Sequence, residues 1–211
     1  MPHEITEITS FDNKRNKVTL DYGEVTFLLY KGECRKAGIG ADRQMDGTLS
    51  DERYEFIIND ILLPRAKKRV MYYLKNADKT RDQIKRKLKE GFYPDEVIEQ
   101  TFAFLDKYGF ADDAHYAEQY IEELKGRYSS REIALKLKQR GIAGECISDK
   151  LKSLTCEDEY GACIKSLNKK YPGGVAKEDR QKAYAFLARK GFGPDAIGHA
   201  LREASGTDGE I

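Results

Sequence analysis

One phrase, written three times, constrains this chain more than anything else in it. The first copy opens Thr80-Arg-Asp-Gln-Ile-Lys-Arg-Lys-Leu88 and runs on through Gly91-Phe92, Pro94-Asp95 and Val97-Ile98. Thr80 with Gln83 three residues later is a capping box and starts a helix. Ile84 and Leu88 are four apart and share a face. Gly91 is placed to take the left-handed conformation that stops a helix. Pro94 opens the next helix, where a missing N–H costs nothing. Val97, Ile98, Thr101, Phe102, Leu105 and Tyr108 mark its buried side at spacings of three and four, and Gly109 ends it. The second copy, Ser129–Ile147, has a capping box (Ser129 with Glu132), an apolar face and Gly141. The third, Tyr184–Ile197, repeats the Gly-Phe-x-Pro-Asp junction around Gly191. Gly91, Gly141 and Gly191 recur every 50 residues, although the preceding leucine is three back in the first copy (Leu88) and four back in the others (Leu137, Leu187). That period exceeds a helix pair and suits three helices per unit.

The chain is 40% hydrophobic and 35% charged over 211 residues. So much charge spreads any core thin and favours short amphipathic helices with solvated faces. The formal charge of +1 gives no net attraction to nucleic acid, so the distribution of charge matters more than its sum. The start shows no basic-then-apolar leader, and no apolar run approaches membrane-spanning length. Cys34, Cys146, Cys156 and Cys163 form no C-x-x-C pair. They read as thiols of a reducing cytoplasm, with Cys156 and Cys163 small core residues on one helix face.

The expected fold is mainly α, with tandem three-helix repeats in an extended array behind a small N-terminal β-rich extension. In the extension (1–62), Val18, Leu20 and Tyr22 alternate, as do Val25, Phe27 and Leu29, with a hairpin at Tyr22-Gly23 and a further strand around Ile5 and Ile8. A helical turn follows at Glu33–Ala37. Asp51–Leu63 then reads as a helix with Phe56, Ile57 and Leu62 inside, and Pro64 marks a boundary. Three repeats are expected at 63–110, 111–155 and 156–204, with a disordered tail at 205–211. Helices are predicted at Pro64–Asn76, Thr80–Glu90, Pro94–Tyr108, Asp112–Gly126, Ser129–Arg140, Glu145–Leu154, Asp179–Lys190 and Pro194–Ala204. The helix from near Glu157 buries Ala162, Cys163, Leu167 and Tyr171.

Charge changes sign at Pro64. Before it, acids that include Glu33, Asp42, Asp46 and Asp60 outnumber the bases. After it come Arg65, Lys67, Lys68, Arg69, Lys75, Lys79, Arg81, Lys85, Arg86, Lys87 and Lys89, opposed by Asp78 and Asp82. Like charges on neighbouring helices repel unless a polyanion or acidic surface meets them, so this run is the first binding candidate. Arg127, Arg131, Lys138 and Arg140 form the second. Tyr72, Tyr73, Tyr93 and Tyr128 lie beside these cations and could stack on bases, although core packing is the expected use for at least half of them. No catalytic motif appears: no G-x-S-x-G, P-loop, dinucleotide fingerprint or H-E-x-x-H. No enzyme activity, cofactor or metal is expected. Asp112-Asp113 reads as a helix cap.

These residues resemble the RecX family of bacterial regulatory proteins. The resemblance rests on Arg81–Leu88 with Gly91-Phe92, on Tyr108-Gly-Phe-Ala-Asp-Asp-Ala-His-Tyr-Ala117, and on Ser129–Ile142. Ala111 stands where the family usually has a larger apolar residue, and Lys136 where an acid is common. The resemblance implies a curved, elongated array of three-helix repeats. It implies a monomer that regulates the recombinase RecA by binding in the groove of RecA–single-stranded DNA filaments, hindering strand exchange, ATP hydrolysis and repressor cleavage. Two other readings stay open: a free-standing binder of single- or double-stranded DNA using Arg65–Lys89, and a helical scaffold for another protein.

Overall fold

The computed structural model describes residues 2–40, 47–75 and 77–205. Asp42, Asp46, Asn76 and the tail after Ser205, all named above, lie outside the described residues. Two compact units divide the chain at Asp112 and Asp113.

The first unit begins with β1 (His3–Ser10), β2 (Arg15–Leu20) and β3 (Val25–Tyr30), then α1 (Lys31–Lys36) and β4 (Thr48–Leu49). The sheet order is β3-β2-β1-β4, antiparallel throughout. An irregularity between Ile5 and Glu7 shifts the β1 register, which lets Ile5 and Ile8, an odd number apart, both pack on the core. Val18, Leu20, Phe27 and Leu29 are fully buried as the alternation predicts. Tyr22 is not: it is 80% exposed. The strand stops at Leu20, and Asp21, Tyr22 and Gly23 all take positive φ, so Tyr22 sits on a turn and points to solvent.

Helix α2 (Asp51–Phe56) starts on Ser50, whose hydroxyl accepts the Arg53 N–H. It runs through a π-helical stretch, Ile57–Leu62, directly into α3 (Leu63–Leu74). Pro64 therefore does not end the helix. The widened turn bonds the Leu63 N–H to the Ile58 carbonyl, and Pro64, in the first turn of α3, needs no donor. Ile57 and Leu62 are buried, but Phe56 is partly exposed. Helix α4 (Arg81–Lys89) carries the predicted capping box in full: Thr80 accepts from Gln83 N–H at 3.2 Å and Gln83 accepts from Thr80 N–H at 3.1 Å. Helix α5 (Asp95–Tyr108) buries Val97, Ile98, Thr101 and Leu105 and exposes Tyr108. The sheet, α2, α3, α4 and α5 share one core, which joins Phe27 and Leu29 to Ile57, Val70, Leu88 and Val97.

The second unit holds α6 (Asp113–Leu124), α7 (Ser130–Gln139), α8 (Gly144–Lys150), α9 (Cys156–Lys170), α10 (Arg180–Arg189) and α11 (Pro194–Ser205). Ala117, Ile121, Ile133, Leu137 and Ile147 make one core, and Cys163, Leu167, Leu187, Phe192 and Ile197 another. Cys163 is buried, but Cys156, in the first turn of α9, is exposed. Ser129 caps α7 through the Glu132 N–H at 3.1 Å. The Glu132 carboxylate faces Lys136, and the Glu159 carboxylate of α9 accepts the next N–H along, that of Ser130, at 2.9 Å.

The helix stops settle the repeat register. Gly141 and Gly191 adopt left-handed φ of 82° and 87°, but Gly91 does not; Phe92 does, at 55°. In each copy the left-handed residue lies four after the core leucine. The residue after it is buried (Tyr93, Ile142, Phe192) and returns its N–H to that leucine's carbonyl at 3.2, 3.2 and 3.3 Å. Gly91 is needed for space instead, since a Cβ there would lie 2.9 Å from the Tyr93 ring. No helix among the described residues is long and apolar enough to cross a membrane.

Candidate functional site

The basic candidates divide into cations the fold consumes and cations it leaves facing solvent. Arg65 is consumed. Its guanidinium reaches the Glu33 carboxylate at 2.7 Å, the Leu28 carbonyl at 2.5 Å and the Tyr93 hydroxyl at 3.3 Å, and lies over the Tyr30 and Tyr93 rings. It ties α3 to β3, α1 and the segment before α5. Arg81 grips Asp106 with both terminal guanidinium nitrogens and covers the Phe102 ring at 4.6 Å. Arg86 pairs with Asp82 at 3.1 Å and Lys89 with Asp95 at 3.2 Å. Lys67 lies half-buried over Phe104. Arg140 donates to the Tyr116 hydroxyl and the Lys136 carbonyl and stacks over Tyr120 at 4.3 Å.

Lys68, Arg69, Lys85, Arg127, Arg131 and Lys138 are all exposed, and none has a carboxylate partner among the described residues. On α3 the reason is periodicity. Ala66 and Val70 face the core, so Lys68, Arg69 and Tyr72 fall on the opposite side at spacings of three and four. Tyr72 is 72% exposed with cations on both sides of it in sequence, and Lys75 continues the face. The other tyrosines are taken: Tyr93 is buried, Tyr73 lies under Lys79, and Tyr128 lies under Lys136 against the core.

Two features escaped sequence reasoning. Phe104, Tyr108 and Phe110 cluster with ring centroids 5.0 to 6.2 Å apart, and Tyr108 and Phe110 are exposed. Tyr108 kept the helical spacing of α5, but its position in the last turn carries it past the core. The second feature is an open groove of about 1060 Å³ in the second unit, walled by α7, α8 and the end of α10. Its sequence signal was Leu135, an apolar residue off the Ile133–Leu137 face, with Arg131 four before it and Lys138 three after. Among the described residues, no group of three or more His, Cys, Asp or Glu side chains is placed to hold a metal.

Comparison with known proteins matches three family models in succession. These are the first three-helix domain of RecX over residues 66–105, the second over 112–151 and the third over 157–201. Among curated proteins, the regulatory protein RecX of Clostridium acetobutylicum is 30% identical, with 94% of this chain and 95% of that protein covered. The regulatory protein RecX of Clostridium perfringens is 26% identical, with 97% and 98% covered. A crystal structure of regulatory protein RecX superposes with a TM-score of 0.61 at 23% identity, covering 95% of this chain and 99% of that one. One of RecX from Lactobacillus salivarius gives 0.60 at 21%, covering 68% and 97%.

Proposed function

The chain belongs to the RecX family, and on that premise we propose that it is a non-enzymatic negative regulator of RecA, acting by binding in the groove of RecA–single-stranded DNA filaments. The observation that carries the reading is the sorting of its cations. The fold holds Arg65 and Arg81 in clamps and pairs Arg86 and Lys89 with carboxylates at the surface, yet leaves Lys68, Arg69, Lys85, Arg127, Arg131 and Lys138 without a carboxylate partner among the described residues, on solvent-facing helix sides of successive repeats. Unopposed charge of one sign costs self-repulsion unless an anionic surface meets it, and a nucleoprotein filament presents one. Occupying its groove hinders strand exchange, ATP hydrolysis and repressor cleavage without any chemistry by the regulator. The partners in this reading are the RecA filament and the single-stranded DNA it holds, met by a cytoplasmic monomer with no cofactor.

The test is the single-stranded-DNA-dependent ATPase of RecA, titrated with this protein beside its binding to naked DNA at the same salt. Inhibition well below the concentration that coats free DNA supports filament recognition; an unchanged ATPase at saturation overturns it. A second reading, a DNA binder that acts by competing for the lattice, is favoured by Tyr72, an exposed ring between cations and thus a stacking platform. In that case inhibition tracks DNA coverage, and both fall steeply with salt as counterions are released.

A further inference from the structure

The groove of the second unit joins two chemistries, an aliphatic floor and a cationic rim. Its floor is aliphatic, made by Ala134, Leu135, Ile147 and Leu151, with Phe186 at one side. Leu135, on that floor, is 54% exposed. Its rim is cationic. Arg131, Lys138, Arg189 and Lys190 border it, and none has a carboxylate partner among the described residues. The acid at the rim, Glu132, lies 3.7 Å from the Lys136 ammonium.

The walls are held in place. The Ser129 hydroxyl donates to the Lys190 carbonyl at 2.7 Å, which fixes the end of α10 to the start of α7. Gly191 lets the two approach: a Cβ there would lie 2.9 Å from the Ser129 Oγ and 3.0 Å from the Arg131 Cβ. The groove is therefore a preformed feature of the second and third repeats.

We infer that this groove docks an acidic amphipathic helix of a partner protein, its apolar side on Leu135 and its carboxylates against the four cations. The chemistry selects the occupant. A nucleic acid would match the rim but gain little from an aliphatic floor, where Phe186 alone offers a ring to stack on. An uncharged apolar segment would match the floor and leave four cations without partners. A helix with apolar residues at spacings of three and four and acids on its flanks satisfies both. At about 1060 Å³ the groove lies at the upper end of the range of small-molecule pockets, and it is open to solvent.

The probe is a fluorescein-labelled peptide of about four helical turns, with Leu and Phe along one face and Glu and Asp on the flanks, titrated by anisotropy against the full chain. Its controls are the same composition scrambled to destroy the face, a version with Gln and Asn for the acids, and an oligo-dT strand. Binding of the amphipathic acidic peptide should weaken at least about tenfold on scrambling, on neutralising the acids, and in Leu135→Glu or Lys138→Glu/Arg189→Glu protein. These positions are exposed, so thermal melting should report folded variants, and Leu135→Ala provides a milder floor variant without added charge. Equal binding of the scrambled peptide, or binding indifferent to Leu135→Glu, overturns the inference. Displacement of the peptide by oligo-dT would give the groove to nucleic acid and overturn it too. So would a dimer of this protein turned monomeric by Leu135→Glu. The assay contains no recombinase, so its outcome and the ATPase outcome are independent.

Discussion

Arg65 shows how a single residue can look functional in sequence and be structural in the fold. It is the first cation of the basic run, yet each of its three guanidinium nitrogens donates within the fold, to a carboxylate, a carbonyl and a hydroxyl, with its side chain 21% exposed. Arg65→Ala strands the Glu33 carboxylate and the Leu28 carbonyl, and should cost about 2–3 kcal/mol. Urea unfolding checks this; no loss of stability would mean the clamp is solvent-compensated. Gly191→Ala should cost about 2 kcal/mol or more, because the left-handed conformation and the 2.9 Å approach to Ser129 Oγ both resist a Cβ. The thiols differ in the same local way. Burial, with Glu159 nearby, pushes the Cys163 thiol up to about 12, and burial also raises that of Cys34. Native labelling with a maleimide near neutral pH should therefore modify exposed Cys156 first and spare Cys34 and Cys163 until the chain unfolds, as mass spectrometry of timed samples would show.

At the level of elements, the helix ends decide more than the helix middles. Thr80 is fully buried as a cap, its hydroxyl and the Gln83 amide closing both donors at the start of α4. Thr80→Ala should destabilise the first unit by about 1–2 kcal/mol, read by chemical unfolding, whereas Thr80→Ser should recover most of the loss. The stop of the same helix explains the uneven spacing of the repeat. Counted from the core leucine, the left-handed residue keeps its place, and the glycine moves. Phe92 tolerates the conformation because its ring is well packed, edge-on to Phe11 at 5.6 Å and under the Lys17 ammonium at 5.5 Å. The π-turn before α3 works similarly: it absorbs the missing donor of Pro64, so a residue that should break a helix instead continues one.

For the molecule as a whole, the balance of charge is the controlling quantity. A net charge of +1 leaves little long-range pull on nucleic acid, so binding must come from local patches of unopposed cations. Lys68→Glu/Arg69→Glu removes two of them from α3 without touching the core. In the filament reading it should raise the concentration needed to inhibit the RecA ATPase about tenfold or more. If these residues sit on phosphates, the salt slope of binding should fall by about 1 for each phosphate that is no longer neutralised. Unchanged inhibition would remove this face of α3 from the interface. Arg81→Glu, by contrast, should act through stability, because it sets two carboxylates against each other at Asp106.

The sequence by itself determined most of the elements, though not that the strands and the first three-helix repeat share one core. Capping residues, apolar periodicity and stop residues are local, and each acts within a turn or two of where it is written. The three-helix repeats, the strand alternation at Val18, Leu20, Phe27 and Leu29, and the family itself were legible for that reason. What the tertiary structure decided was the use of each polar side chain. Whether Arg65 binds a partner or Glu33 depends on a residue 32 positions away. Whether Tyr108 is buried depends on where its core ends, and whether Leu135 has cover depends on α10. Long-range juxtaposition carries no periodic signal, so the division of cations into clamps and free charges, and the groove between α7, α8 and α10, existed only once the chain was folded.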